Sequence, residues 1–297
     1  MKKFDKIAII DTVKITEEAK EKIQHYSNES IIYPEFDTED EKEICQRINN
    51  ADAVLGNWHS TINASILKHT PKLKYIGICG TNLANIDLEA VRRHNVVIKN
   101  VTDYGDDATA EYIFAQLLNL FRGFGKYQWK NEPSELSSKT IGIVGLGAVG
   151  QQVARIALGF KMKVSYYSKS RKAEWEEKGV QYSPIEDLFE KSDIISMHVP
   201  KNTKIIGKDE LEKIGNGKII IDTCLGNIYK DIVAVRLWLE NKNNFLIRDH
   251  QPEIKGKLGD LERFIYTENV IAGITAEARE KLSIKVIDNI EVYLKDN

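Results

Sequence analysis

Cysteine is scarce: Cys45, Cys79 and Cys224 are the only three in 297 residues, and no two share a short spacing. That excludes a disulfide framework and a thiolate zinc site, so no metal is expected and buried free thiols are. No apolar stretch reaches the ~18 residues of a membrane span. Neither sign of charge dominates, because 42 Lys and Arg oppose 44 Asp and Glu for a net charge of -2. No polybasic run or basic patch interleaved with aromatics stands out, so nucleic acid and membrane surfaces are not expected partners. Repeats and low-complexity tracts are absent. The opening Met-Lys-Lys-Phe-Asp leads into a strand rather than an apolar signal core, and a cytoplasmic location is expected. With 42% apolar residues the chain is large enough for two domains with real cores.

Short apolar runs alternate with helical patterns throughout, which argues for parallel sheets wrapped by helices. In the first third, strands are expected at 7–10, 30–33, 53–56, 75–78 and 96–99, enough for a small five-stranded domain. An apolar helix at 109–121 and a polar stretch at 126–139 follow. Further strands are expected at 140–144, 163–167, 194–198, 218–222, 245–248 and 270–272. The last segment, 276–294, is an amphipathic helix with Leu282, Val286, Ile290 and Leu294 at helical spacing, expected to dock on the N-terminal domain.

The most informative stretch is Thr140-Ile-Gly-Ile-Val-Gly-Leu-Gly-Ala-Val-Gly150. Gly145, Gly147 and Gly150 fall between an apolar strand and a helical pattern, the order that a dinucleotide-binding turn requires. Gly145 permits a sharp turn, Gly147 lets the backbone approach a pyrophosphate, and Gly150 lets helix and strand pack closely. Phosphates then meet the unpaired N–H groups around Ala148 and Val149, at the positive end of the helix dipole. About 20 residues on, an acidic residue ordinarily binds the ribose hydroxyls of NAD. Here the strand ends at Ser168, and Lys169, Ser170, Arg171 and Lys172 follow. Hydroxyls, ammonium groups and a guanidinium fork suit a 2′-phosphate, so NADP(H) is preferred and NAD(H) remains possible. A solvated basic loop is the plain alternative.

Over nearly its whole length the chain resembles the D-isomer-specific 2-hydroxyacid dehydrogenases. The likeness is carried by the glycine turn and by Pro71-Lys-Leu-Lys-Tyr-Ile76, Asn85-Ile-Asp87, Thr109-Ala-Glu-Tyr112, Ser192-Asp-Ile-Ile-Ser-Met-His-Val-Pro200 and Ala272-Gly-Ile-Thr-Ala-Glu-Ala278. The segment Tyr167-Ser-Lys-Ser-Arg-Lys172 resembles the glyoxylate and hydroxypyruvate reductase branch. The resemblance implies an α/β fold of two Rossmann-like, doubly wound parallel-sheet domains with a cleft between them. A flavodoxin-like substrate domain would span 1–104 plus 276–297, and a dinucleotide-binding Rossmann domain 105–275. It also implies a homodimer joined largely through the cofactor domains, with the helix from Thr109 at the junction. His198, Val199, Pro200, Thr223 and Cys224 would lie beside the cofactor. The backbone at Thr81 and Asn82 would contact a substrate carboxylate, although Asn82 stands where a second glycine is usual.

At the catalytic positions the chain departs from the family. Leu225 occupies the place of the Arg that binds the substrate carboxylate, and Val270, after Asn269, that of the acid-base His. The Glu that pairs with this His maps to either Gln251 or Glu253. His250 and His59 are the candidate replacements, each weighed against an ordinary surface or packing role. Two functions stay open. One is an NAD(P)-dependent oxidoreductase acting on a small 2-oxo or 2-hydroxy acid or related carbonyl compound through atypical residues. The other is a catalytically silent dinucleotide-binding sensor or partner subunit.

Overall fold

The computed structural model describes residues 2–59, 61–241, 243–249, 252–267 and 272–297. The chain divides into two compact units, residues 1–104 with 276–297, and residues 105–275. The first contributes β1 (Ile7–Ile9), α1 (Glu17–Gln24), α2 (Glu41–Ile48), β2 (Ala53–Gly56), α3 (Ala64–His69), β3 (Tyr75–Ile78), α4 (Leu88–Arg93) and β4 (Val97–Asn100). The second begins with α5 (Asp106–Arg122), β5 (Thr140–Val144), α6 (Ala148–Gly159), β6 (Lys163–Tyr167), α7 (Ala173–Glu177), β7 (Gln181–Tyr182) and α8 (Ile185–Lys191). It continues with β8 (Ile194–Met197), α9 (Lys208–Ile214), β9 (Ile219–Asp222), α10 (Ile232–Glu240), β10 (Phe245–Arg248), α11 (Pro252–Leu258) and β11 (Phe264–Tyr266). The last helix, α12 (Ala276–Asp296), belongs to the first unit.

In the first unit four parallel strands lie in the order β1-β2-β3-β4. Alternation splits each strand between two cores: Ile7 and Ile9 pack with Leu282, Val286 and Ile290 of α12, whereas Ala8 and Ile10 pack with Ile44 and Ile48 of α2. Thr16, Asp40, Asn63 and Asp87 cap α1 to α4 with their side-chain oxygens. The fifth strand expected at 30–33 does not form. The Gln24 side chain takes up backbone groups there, donating to the Glu29 carbonyl at 3.1 Å and accepting from Ile31 N–H at 2.8 Å, and Ile32 is left exposed. Phe4 pairs with Ser27 in a single bridge instead. Cys79 and Cys224 are buried as expected of free thiols, but Cys45 is half-buried.

The second unit holds seven parallel strands in the order β11-β10-β9-β8-β5-β6-β7. The chain starts in the middle with β5 and winds outward in both directions, so the order reverses between β5 and β8. Ile141, Ile194, Ile219 and Phe245 face α5 and α6; Val144, Ile195, Ile220 and Leu246 face α8, α9 and α10. Strands β7 and β11 are short edges that the sequence pattern does not reveal, and β4 runs one residue later than expected. Helix α5 starts at Asp106, three residues before Thr109, because Asp106 and Asp107 suit the positive helix end and the Thr109 hydroxyl bonds the Gly105 carbonyl at 2.8 Å. The polar stretch 126–139 also sends Trp129 and Leu136 into the core. The strand expected at 270–272 falls mostly outside the described residues. Among the described residues no helix is long and apolar enough to cross a membrane, and no three His, Cys, Asp or Glu side chains group as metal ligands.

Candidate functional site

Open parallel sheets receive ligands beyond the carboxyl ends of their strands where the order reverses. In the second unit that place is the end of β5, and the glycine turn begins there. Gly145 has φ +99°, and a Cβ on it would lie 2.1 Å from the His198 carbonyl oxygen. A Cβ on Gly150 would lie 2.2 Å from the Gly145 carbonyl oxygen. The fold itself forbids side chains at both positions. At Gly147 a Cβ would meet nothing within 4 Å. Packing therefore does not require this glycine, and the open space borders the N-terminus of α6, which no side chain caps. Uncapped N–H groups at the positive helix end, beside an unfilled space, fit a pyrophosphate.

The loop after β6 is fastened to the fully buried Tyr166, the penultimate residue of that strand. Its hydroxyl accepts from Lys172 N–H at 2.6 Å and donates to Glu176 Oε1 at 2.7 Å. Glu176 also takes Arg171, through Nε at 3.0 Å and through a second short contact to Nη2, while the guanidinium stacks over the Tyr182 ring. These hydrogen bonds hold the Glu176 carboxyl below the usual range, that of Arg171 first and that of Tyr166 second. Lys169, Ser170 and Arg171 are exposed and Ser168 and Lys172 half-buried. A separate cavity of about 260 Å³ lies between α8 and α9. Glu186, Asp209 and Glu210 line it against Lys213 alone, which does not suit a phosphate.

The third feature is a charged cluster that sequence reasoning missed. Asp222 ends β9, Arg248 ends β10, and the two are register partners. Both are buried and they form an ion pair. Arg248 Nη2 also donates to the Cys224 and Gly226 carbonyls at 2.8 and 2.9 Å, and Asp222 accepts from Tyr229 Oη and Cys224 N–H, each at 2.9 Å. Burial pushes the Asp222 carboxyl up against the pull of Arg248. The cluster clamps the turn that carries Thr223, Cys224 and the exposed Leu225. Cys224 joins this turn to the end of β8, its Sγ donating to the Met197 carbonyl at 3.1 Å and accepting from Val199 N–H at 3.3 Å. Burial pushes the Cys224 thiol well up, so it is no nucleophile. His198, bonded through Nε2 to Ser196 Oγ at 2.8 Å, is pushed down to about 3 by burial and stays neutral. Pro200 is exposed at the end of that segment.

The remaining candidates belong to the first unit or lie outside the described residues. His59 Nε2 is 3.6 Å from Asp37 Oδ2. Asp37 is itself fixed by Thr12 N–H and Oγ1 at 2.7 and 2.8 Å, and Asn57 Oδ1 accepts from His59 N–H at 2.7 Å. A histidine is thus held against a carboxylate at the carboxyl ends of β1 and β2. The Thr81 hydroxyl is occupied by the Val101 carbonyl at 3.0 Å, and Asn82 Oδ1 by Ala84 N–H at 2.8 Å. Both side chains therefore shape their own loop. Next to it, a Cβ on Gly80 would lie 3.1 Å from the Trp58 ring. His250, Gln251, Asn269 and Val270 lie outside the described residues. Glu253 opens α11.

Residues 115–249 match the family described as "D-isomer specific 2-hydroxyacid dehydrogenase, NAD binding domain". The chain is 29% identical over 277 residues to a glyoxylate reductase of Thermococcus litoralis, covering 85% of this chain and 83% of that one. It is 28% identical to a hydroxypyruvate reductase of Thermotoga maritima, covering 84% and 86%. Among solved structures, an acyclic imino acid reductase in complex with NADPH and D-Arg superimposes with a TM-score of 0.83 at 29% identity, covering 98% of this chain and 97% of that one. The D-lactate dehydrogenase of Aquifex aeolicus with NAD and lactic acid shares the fold, with a TM-score of 0.81 at 21% identity over 98% of this chain and 96% of that one. These matches favour an oxidoreductase that takes a nicotinamide dinucleotide over a silent binding protein. With the winding of β5 to β11 and the glycine turn, they make the second unit similar to the NAD-binding domain of the D-isomer-specific 2-hydroxyacid dehydrogenases, the family that residues 115–249 match.

Proposed function

We propose that this protein is an NADP(H)-preferring reductase of a small 2-oxo acid or related carbonyl compound. One observation carries the cofactor part: where a ribose-binding carboxylate would end β6 there is Ser168, followed by three basic residues, two of which, Lys169 and Lys172, have no carboxylate partner among the described residues. The NADPH bound in the imino acid reductase supports this reading. When bound, the reduced nicotinamide supplies a hydride to the carbonyl carbon. The amides around Ala148, Val149 and Gly150 hold the pyrophosphate, with Gly147 allowing close approach. Val199, Pro200, Thr223 and Cys224 form the backbone ledge at the ends of β8 and β9 beside it.

The carbonyl oxygen must receive a proton as it becomes an alkoxide, and a positioned acid contributes ~100 to 10,000-fold. His198 is not that acid, because burial keeps it unprotonated. His59, oriented by Asp37, is the group of the right chemistry within the described residues. Leu225 offers no charge to a substrate carboxylate, which forgoes a charged hydrogen bond of roughly 1.5 to 3 kcal/mol. Glyoxylate and hydroxypyruvate, small and dependent on that contact, are therefore slow substrates. The unpaired cysteines suit a reducing cytoplasm, and the homodimer follows from the family resemblance.

Fluorescence titration with NADPH and NADH, followed by turnover measurements on a panel of 2-oxo acids, tests the proposal. Tighter binding of NADPH is the expected result. Equal affinities would remove the cofactor preference, and ordinary reductase turnover on glyoxylate would remove the role given to Leu225. Sedimentation velocity reads the dimer.

A further inference from the structure

We propose that Glu176, with Tyr166, is a positioning residue for cofactor choice: it grips Arg171 from one side and so presents the free edge of the guanidinium, already oriented, to the 2′-phosphate of NADPH. The inference rests on the reading that the loop at 168–172 receives this phosphate.

A guanidinium offers two bidentate edges, one through Nε and Nη2 and one through Nη1 and Nη2. Glu176 occupies the first, with Oε1 3.0 Å from Nε and Oε2 against Nη2. The second edge has no protein partner among the described residues, and the side chain is 67% exposed. Two further contacts stop the arginine from drifting. The Glu176 side chain is anchored by the buried Tyr166 hydroxyl at 2.7 Å, and Tyr182 lies under the guanidinium with 5.2 Å from Cζ to the ring centroid. The same Tyr166 hydroxyl binds Lys172 N–H at 2.6 Å, so one buried phenol fixes both the end of the loop and the acid that grips its arginine. An exposed arginine otherwise samples many rotamers, and ordering it on binding weakens affinity.

This arrangement makes a prediction whose sign differs from that of simple electrostatics. By charge alone, deleting an acidic residue beside an anion site strengthens anion binding. If Glu176 acts by orienting Arg171, Glu176→Ala instead weakens NADPH binding, by roughly fivefold to tenfold for one side chain that must now be ordered. NADH lacks the 2′-phosphate, so its affinity stays as in the unmodified protein and serves as the internal control.

The experiment titrates NADPH and NADH by fluorescence, and 2′,5′-ADP by calorimetry, against the full-length protein and its Arg171→Ala, Glu176→Ala and Glu176→Gln variants. Supporting results are a selective loss of NADPH and 2′,5′-ADP affinity in Arg171→Ala and Glu176→Ala, with a smaller loss in Glu176→Gln, which keeps one acceptor. If Arg171→Ala weakens NADPH but Glu176→Ala leaves it unchanged or strengthens it, the positioning role is overturned while the phosphate loop stands. If Arg171→Ala leaves NADPH unaffected, the loop reading fails and takes the inference with it. Equal losses of NADPH and NADH in Glu176→Ala would mark a merely structural role and also overturn the proposal.

Discussion

Replacing Arg248 by Met should be among the most destabilising single changes in the second unit. Arg248 and Asp222 are 1% and 0% exposed, and their ion pair sits at the ends of adjoining strands. Removing one partner of a buried pair leaves the other charge unmatched, which costs about 3 to 5 kcal/mol. The two carbonyls of Cys224 and Gly226 lose a charged donor in the same step. In a unit of this size 1 kcal/mol moves Tm by roughly 2 to 4 °C, so a fall of about 6 to 20 °C is expected. Asp222→Asn alone strands the guanidinium and should cost a similar amount. The Arg248→Met, Asp222→Asn double variant should cost about 2 kcal/mol or more less than the sum, since neither charge is then left alone. Scanning calorimetry and urea denaturation of all four proteins complete the cycle. A cost below about 1 kcal/mol for Arg248→Met, or strict additivity, would refute the view that this pair holds the Thr223 to Gly226 turn together.

Gly147→Ala should leave Tm unchanged, since its Cβ meets nothing within 4 Å, yet weaken NADPH binding at least about tenfold; Gly145→Ala, at φ +99° and against the His198 carbonyl, should lower Tm as well. Thermal melts and fluorescence titrations separate the two. His198, pushed down to about 3 when folded, has an unfolded value near 6.5, so between these limits the unfolded chain binds a proton that the folded chain refuses. Stability from this source is complete above about pH 6.5 and falls as pH drops toward 3, and His198→Gln should flatten that slope in Tm measured against pH. His59→Gln should lower kcat by about 100-fold or more on the preferred substrate while NADPH affinity holds, and steady-state kinetics with the binding titration would show it.

The strands β2, β3, β5 and β10 were legible at their observed bounds because each is a short, largely apolar run, and β6 because Val164 and Tyr166 alternate with Lys163, Ser165 and Tyr167. The segment 30–33 carries the same local pattern, but a single glutamine side chain supplies hydrogen bonds that a neighbouring strand would have made. Strands β7 and β11, at two and three residues, exist only because a neighbour pairs with them, and pattern alone does not mark them. The glycine turn was readable because its constraints are local. The Asp222 to Arg248 pair was not, since 26 positions separate its members and only the register of β9 against β10 brings them together. A signal existed all the same: two otherwise apolar strands end in opposite charges. Likewise Glu176 stands five residues beyond Arg171, an acid on the helix that follows a basic loop.

Cys224 gives the molecule a built-in reporter. Its sulfur is enclosed between the end of β8 and the turn after β9, so an alkylating reagent reaches it only when that turn lets go. The labelling rate therefore measures how often this corner opens, and anything that braces the ledge slows the reagent.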